Sequence, residues 1–357
     1  MAAYTTIDDS EAYFHTQLFT GDDNADRLIT NGASADFRPD LLWLKNRSSV
    51  SSQCIFDSLR LASSESTVML RTNNANTEED KVDRFGGFET DGFTVDGNDA
   101  DTNADGDSFV AWQWKANGSG SSNTTGSINT TATSANTTSG FSIITYTGND
   151  TAGATIGHGL GAVPHFIMIK CRSASQSWPV YHHKNTSAPE TDFLILDTAV
   201  ATADASNRWN DTAPTSTLIT LGDENQSNGA LNYVAYAWTE IQGYSKFGVY
   251  KGNGNADGAF VYTGFKPAFL IIKLTSGAGQ NWFMFDNKRS PFNINTKNLY
   301  ADETGAEGTA DRNDLISNGF KFRESGAGEN GSDKTYVYIA FAEAPFVNSE
   351  GVPGNAR

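Results

Sequence analysis

The amino-acid sequence predicts an all-β protein made of three tandem antiparallel β-sandwich domains, jelly-roll-like and all of one repeated type. A proline-led apolar run that ends in lysine occurs three times, at residues 39–45, 164–170 and 267–273. An aromatic strand follows each run and begins at Phe109, Tyr233 or Tyr336, which lie 64, 63 and 63 residues after the respective lysines. This constant separation indicates one fold unit in three copies, because paired strands fix the length of chain between them.

The strands of each copy can be justified in order along the chain. An aromatic-rich opening strand ends in Gly followed by Asp or Asn, and a tight turn fits there because Gly and Asn tolerate positive φ. The proline-led run is apolar on both faces, which predicts a central strand buried between two layers. Shorter strands follow, then one with a period of two residues, and the aromatic strand closes the copy. Seven to nine short strands in about 100 residues are typical of a sandwich.

These observations divide the chain into three repeats, a linker and a tail. Residues 1–116, 140–243 and 244–346 form the β-sandwich repeats, and residues 347–357 form a polar C-terminal tail. The segment 117–139 consists mostly of Gly, Ser, Asn, Thr and Ala and has little apolar surface to bury. We therefore expect a flexible or extended linker with a hinge near residue 120. Repeats two and three follow each other almost without a spacer, so we expect them to form a stiff pair.

The overall composition weighs against several classes of function. A net charge of −17 in 357 residues argues against DNA or RNA binding, which needs Lys and Arg to neutralise phosphates. The sequence has no apolar run near the ~18 residues of a membrane span, and residues 1–10 have neither the basic nor the apolar region that is typical of a signal peptide. We expect synthesis in a cytoplasm and no membrane insertion. Cys54 and Cys171 lie in different repeats, and we interpret them as unpaired, buried thiols.

The densest acidic segment is a candidate Ca²⁺ site. Its ligands would be Asp99, Asp101, Asn103, Asp105 and Asp107. Alternating oxygen ligands in a flexible loop suit Ca²⁺, but Ala104 and Val110 stand where an EF-hand loop has its turn glycine and its bidentate glutamate. The alternative is a solvated hairpin tip between the last two strands. Apart from this Ca²⁺ candidate, no cofactor is expected.

The other candidate site residues are aromatic. Trp178 and Trp209 could stack on a sugar ring, since Trp209 lies in the polar stretch 207–211. The alternative is that both rings belong to the core. Asp57 and Arg60 recur as Asp286 and Arg289 near strand ends, where we expect a structural ion pair. A glycosidase would need two carboxylates flanking a sugar bond, and the sequence does not place such a pair. We assign no catalytic residue.

Five segments resemble a known family. Residues 109–116, 155–170 and 264–273, together with 317–323 and 338–346, are similar to a repeated domain of unknown function found in tail-fibre and other virion structural proteins of marine bacteriophages. The likeness covers nearly the whole chain and is strongest over residues 140–346. It implies a concanavalin-A-like sandwich, a place in the virion and release by host lysis, and it carries over no catalytic residue.

The repeats and the resemblance together suggest three functions. The first is a tail-fibre or other surface appendage of a bacteriophage, which attaches to the host through weak, multivalent contacts with surface glycans. The second is a decoration protein that cements the capsid without binding a receptor, and the third is a glycan depolymerase. Expected partners are other virion proteins and further copies of the same chain, as a trimer by analogy with other phage appendages.

Overall fold

The computed structural model describes residues 3–60, 68–80, 84–97 and 99–354. It is all-β, with antiparallel sheets throughout the named strands, which confirms the predicted fold class. One 3-10 turn, Ser10–Ala12, precedes the first strand. In the described ranges, no helix is long and apolar enough to cross a bilayer.

The first copy contains nine strands and the chain then adds a tenth before the second copy. These are β1 (Phe14–Thr20), β2 (Arg27–Ile29), β3 (Leu41–Asn46), β4 (Gln53–Asp57), β5 (Val68–Arg71), β6 (Glu79–Asp80), β7 (Phe85–Glu89), β8 (Gly92–Val95), β9 (Ser108–Trp114) and β10 (Ala132–Asn136).

The second copy contains β11 to β18 and the third contains β19 to β26. These are β11 (Phe141–Thr147), β12 (Ala154–Gly157), β13 (Phe166–Cys171), β14 (Pro179–His182), β15 (Asp192–Ile195), β16 (Ala203–Asp204), β17 (Leu218–Leu221), β18 (Asn232–Trp238), β19 (Ser245–Lys251), β20 (Phe260–Tyr262), β21 (Phe265–Leu274), β22 (Phe283–Asp286), β23 (Asn295–Tyr300), β24 (Gly308–Ile316), β25 (Gly319–Phe322) and β26 (Thr335–Pro345).

The main sheets of the three copies have the same strand order. The opening strand pairs with the closing aromatic strand, which pairs with the proline-led strand: β1-β9-β3, β11-β18-β13 and β19-β26-β21. Equivalent residues also share the register, since Phe14, Phe141 and Ser245 face Trp114, Trp238 and Phe341. The proline-led strands β3, β13 and β21 are buried along their whole length, as predicted. The repeated spacing in the sequence therefore corresponds to one sheet topology in three copies.

Each main sheet buries both of its faces. On the closing strand β9, Val110, Trp112 and Trp114 enter a central core, while Phe109 and Ala111 enter an outer core. The outer cores of the three copies are separate clusters, each covered by a small second layer. That layer is β2-β8-β7 in the first copy, β12-β17 in the second, and the β24-β25-β20 end of the sheet in the third. This two-faced burial explains the apolar runs on both strand faces.

The central core joins the three copies. Trp43, Phe166 and Phe269, each from a different copy, belong to one cluster, and the ring centroids of Trp114 and Trp238 lie 6.2 Å apart. Where the three sheets meet, only about 10 Å³ is left, which is barely one water molecule. The repeats are thus arranged around a shared apolar centre, a feature that the prediction of three tandem sandwiches did not contain.

Contacts between the copies follow a cyclic order. At one equivalent position of each repeat, a side-chain N–H donates to a backbone carbonyl of the next repeat around the ring. The three bonds are Trp178 to Arg71 at 2.9 Å, Trp282 to Ile195 at 2.9 Å and Gln53 to Tyr300 at 2.6 Å. The second repeat thus donates to the first, the third to the second and the first to the third, which closes a ring with pseudo-threefold symmetry.

The expectation of a flexible linker over residues 117–139 is wrong. The segment contains β10, which pairs with β11 at the edge of the second repeat. Ile128 is buried in the outer core of that repeat, and its N–H donates to the carbonyl of Thr155 at 2.9 Å. The composition of the segment suggested a linker because it contains few apolar residues. An open sheet edge, however, satisfies the backbone hydrogen bonds of a Ser/Thr-rich segment, and one apolar anchor then holds it in place.

Candidate functional site

The acidic loop that is the Ca²⁺ candidate forms ion pairs with arginines and hydrogen bonds with amide groups. Arg84 Nε lies 2.8 Å from Asp99 Oδ2, and Arg71 reaches Asp101 at 3.4 Å. Within the described ranges, no group of three or more His, Cys, Asp or Glu side chains converges on one point. The remaining candidates also diverge: Asn103 bonds the turn at residues 22–24, Asp105 N–H bonds Asp23 and Asp107 accepts from Asn46. The loop geometry favours the hairpin-tip interpretation.

The two tryptophans proposed for glycan stacking lie in the interior. Trp178 is 0% exposed and Trp209 is 2% exposed. The Trp178 indole donates to the carbonyl of Arg71 in the first repeat. The Trp209 indole donates to the carbonyl of Asp192 at 3.1 Å. A buried ring has no face free for a pyranose, so neither residue can serve in that role. Trp209 is preceded and followed by polar residues, yet its ring packs edge-on against Tyr181, with ring centroids 5.9 Å apart.

The predicted pair of Asp57 and Arg60 is confirmed, and it belongs to a larger cluster between the first and second repeats. Arg60 Nε donates to Asp57 Oδ2 at 2.5 Å, and the Tyr236 hydroxyl donates to the same oxygen at 2.5 Å. Arg172 donates twice to Glu78, at 2.7 and 2.8 Å, and Arg60 also donates to Glu78. Burial would raise the pKa of Glu78, but Arg172 and Arg60 lower it below its ordinary value.

An equivalent cluster lies between the third and first repeats. Arg289 Nε donates to Asp286 Oδ2 at 2.5 Å, and the Trp112 indole donates to that oxygen at 3.0 Å. Arg47 donates twice to Glu307, at 2.9 and 3.0 Å, and Arg289 donates to Glu307 at 3.3 Å. Arg47 and Arg172 each lie two residues after the lysine of the repeated run. Two of the three junctions therefore carry the same buried ion network.

The junction between the second and third repeats is neutral instead. His182 stands where the other copies have Asp57 and Asp286, and its Nε2 donates to the carbonyl of Tyr338 at 3.2 Å. Asn185 and Thr202 take the places of the arginine and the glutamate, and they bond each other at 2.6 Å. Burial, reinforced by neighbouring His183, lowers the pKa of His182 to about 3, so its ring is uncharged at neutral pH.

The three lysines of the repeated runs are buried and bond backbone carbonyls. Lys45 Nζ donates to Ser51 O at 2.9 Å and to Thr304 O at 3.1 Å, and Lys273 Nζ donates to Gln280 O at 2.6 Å. Lys170 donates to Gln176 O in the same way. Burial lowers the pKa of all three to about 8. Because Thr304 belongs to the third repeat, Lys45 also contributes to a junction.

An open groove lies on the third repeat beside the neutral junction. Its walls are β19 and β20, and its volume is about 520 Å³ in one part and about 350 Å³ in the adjoining part. Three apolar side chains are exposed along it: Val249 by 44%, Phe260 by 48% and Tyr262 by 48%. Lys246 lies 5.7 Å from the centre of the Tyr262 ring. This size and lining suit a bound chain or small ligand.

Sequence reasoning identified the Asp–Arg pairs but missed the junctions and the groove. A position-by-position comparison of the three copies contained a usable signal. Arg47 and Arg172 are equivalent, as are Glu78 and Glu307, while the second and third copies have Thr202 and Thr275 at the corresponding positions. A set of charges present at two joints and absent at the third indicates contacts between copies rather than within them.

The comparison with known proteins bears on the chain as a whole. A family model described as Domain of unknown function (DUF7483) matches residues 9–345. The chain belongs to this family. The DUF7483 match spans all three copies and both ion networks, so the family corresponds to the complete ring. No curated protein and no solved structure matches the chain. The family description names no activity, and the phage origin and the concanavalin-A-like likeness stay predictions.

Proposed function

We propose that this chain is a structural protein of a bacteriophage virion, in a tail fibre or other surface appendage that attaches to the host. The observation that carries the proposal is the closed ring of three equivalent sandwiches around one apolar centre. Such a ring presents three similar outer surfaces in fixed relative positions, so weak contacts with a repetitive host surface add up through multivalency.

The contacts at the junctions between repeats support a structural role. They combine a shared aromatic core with the buried pairs of Asp57 and Arg60 and of Asp286 and Arg289. A network in which every charge has a partner specifies one arrangement of the repeats. The homotrimer expected by analogy stays a prediction. The ring of three repeats gives a single polypeptide pseudo-threefold symmetry, which suits a position on a threefold axis of a larger assembly.

Locating the protein in intact particles tests this function. Antibodies against the purified chain, applied to virions from a lysate and viewed by cryo-microscopy with gold labels, should mark the tail or its appendages. Labels on the capsid faces would support the decoration role instead. Absence from purified virions, with abundant protein in the infected cell, would exclude both structural roles.

A binding assay separates attachment from cementing. Fluorescently labelled protein should bind the surface of host cells, and a multivalent display on beads should bind more tightly than the single chain. Release of reducing sugar ends from surface polysaccharide would instead favour the depolymerase. A protein that labels virions but binds no host cell, displayed or single, would favour decoration.

A further inference from the structure

The outer edge of the opening strand has different hydrogen-bond partners in the three repeats. Strand alternation directs the N–H and C=O of Leu18, Thr145 and Val249, which are equivalent, away from the closing strand. In the first repeat, Gln17 donates its side-chain amide to the Leu18 carbonyl at 2.9 Å. In the second repeat, strand β10 covers the edge, and the N–H of Thr131 donates to the Thr145 carbonyl at 2.7 Å.

The third repeat leaves part of this edge open. The Phe247 N–H donates to Glu240 Oε1 at 2.8 Å, and His183 Nε2 donates to the Phe247 carbonyl at 2.5 Å. Beyond them, no side chain or strand in the described part of the chain bonds the outward backbone groups of Val249. The open edge thus begins after Phe247, which Glu240 and His183 bond, and it forms one wall of the groove.

The opposite wall of the groove, β20, also has outward backbone groups without a hydrogen bond in the described ranges. Thr155 of β12 and Phe260 of β20 are equivalent, and both direct their backbone groups away from their partner strands. In the second repeat, the carbonyl of Thr155 accepts from the N–H of Ile128 at 2.9 Å. Across the described ranges, no hydrogen bond reaches the outward groups of Phe260. One segment, residues 128–131, thus bridges in the second repeat the two walls that stay apart in the third.

We propose that the groove between β19 and β20 binds an extended polypeptide segment, rich in Ser and Thr with one aliphatic anchor, in the way that residues 126–136 fill the second repeat. Its backbone N–H groups at positions i and i+3 bond the carbonyls of Phe260 and Val249, and the side chain at position i fills the apolar gap. Strand addition supplies affinity from the main chain and selectivity from the anchor. This inference does not rest on the proposed function.

The chemistry of the groove suits such a segment. Ile128 is 7% exposed in the second repeat, so the anchor there is almost completely buried. The matching part of the third repeat is lined by Tyr250, Val261 and Tyr338, which accept an aliphatic group. Exposed Phe260 and Tyr262 lie along the rim and would be covered by the added chain.

A synthetic peptide with the sequence of residues 126–136 tests the proposal on the full-length chain. Isothermal titration should show one site per chain. N-methylation of the residue equivalent to Ile128 or Thr131 removes one donor and should weaken binding about tenfold or more, since about 1.4 kcal/mol is a factor of ten. N-methylation at the position of Asn129, a donor that no contact in the second repeat uses, is the matched control.

Two further measurements locate the site. Val249→Asp should abolish binding, while Val200→Asp, at an equally exposed valine away from the groove, should leave it unchanged; a thermal melt checks that both variants fold. The carbonyl carbon NMR signals of Val249 and Phe260, whose oxygens accept the peptide's N–H groups, should shift when the peptide binds. Binding that persists in Val249→Asp and leaves the Val249 and Phe260 signals unchanged would place the peptide elsewhere, as in exchange with the chain's own segment, and would overturn the proposal. Absence of peptide binding, or binding of a glycan alone, would overturn it as well.

Discussion

The hydroxyl of Tyr236 in the second repeat donates a hydrogen bond to Oδ2 of Asp57 in the first repeat, over 2.5 Å and out of contact with solvent. The same oxygen accepts from Arg60 of its own repeat. One carboxylate therefore fixes both its own turn and the neighbouring copy. The energetic role of such bonds can be measured because the chain supplies matched residues without them.

Tyr236→Phe should reduce the free energy of unfolding by about 1–3 kcal/mol, because Asp57 stays buried and loses one of its donors. Chemical denaturation is the measurement. Tyr181→Phe is the control: Tyr181 is also buried, and its hydroxyl makes no hydrogen bond to the described residues. Equal losses in the two variants would contradict the special role of the bond between repeats.

Asp286→Asn should cost about 3–5 kcal/mol, because the substitution leaves the Arg289 charge buried with an incomplete partner. The comparison variant is Asp257→Asn, which removes an exposed pair with Lys321 and should change the stability far less. Melting temperatures in low and high salt report both effects. A buried network resists screening, so a strong salt dependence of the Asp286 effect would argue against it.

His182 should make the protein sensitive to acid. Its pKa is about 3 in the folded chain and near 6.5 when unfolded, so the unfolded state binds more protons between these values. Stability is full above pH 6.5 and falls as the pH drops towards 3. His182→Gln keeps a donor for Tyr338 but does not titrate, so between pH 7 and pH 4 it should lose roughly 1–4 kcal/mol less stability than the wild type. Parallel pH profiles for the two proteins would refute the assignment.

Glu329 should act in the opposite direction. It is buried and faces Arg312 over 3.5 Å, and the effect of burial outweighs that of Arg312 and raises the pKa of Glu329 from 4.5 to about 8. Between these values the folded state holds a proton that the unfolded state has lost, so stability declines from pH 4.5 to pH 8. The free energy of unfolding of Glu329→Gln should therefore increase relative to that of the wild type as the pH rises, by on the order of a few kcal/mol. Urea denaturation at pH 5 and pH 8 checks the sign.

The acidic loop should respond weakly to calcium. Since Asp99 and Asp101 face Arg84 and Arg71, bound Ca²⁺ would have to displace guanidinium groups. We expect no change of melting temperature when Ca²⁺ or a chelator is added to the wild type. The double substitution Arg71→Ala and Arg84→Ala frees the carboxylates and should reveal any latent Ca²⁺ affinity. A clear Ca²⁺ stabilisation of the wild type would restore the original site prediction.

The elements that the sequence predicted well are those with a local signature. The run from Leu41 to Lys45 is apolar on both faces, and a strand covered on both sides is its direct consequence. The pair of Asp57 and Arg60 lies three residues apart in one turn, so its members meet regardless of what surrounds them. Both predictions depend on neighbours in the chain.

The features that the sequence did not predict depend on distant partners. An apolar face on β9 and β18 shows that something covers it, but Trp114 and Trp238 carry no mark that they cover each other. Trp209 is a candidate for glycan stacking because its neighbours in sequence are polar, but its ring enters the core between them, in line with the alternative interpretation. Residues 117–139 looked unstructured because their stability comes from an edge provided by β11.

Two joints of the ring are continuous with the polypeptide, but the joint between the first and third repeats is held by side-chain and backbone contacts alone. Arg47, Trp112 and Gln53 all cross it. If the ends of the chain were pulled apart, force would reach this joint before it reached the other two. The doubly bonded pair of Arg47 and Glu307 would then be among the contacts that must break before the ring opens.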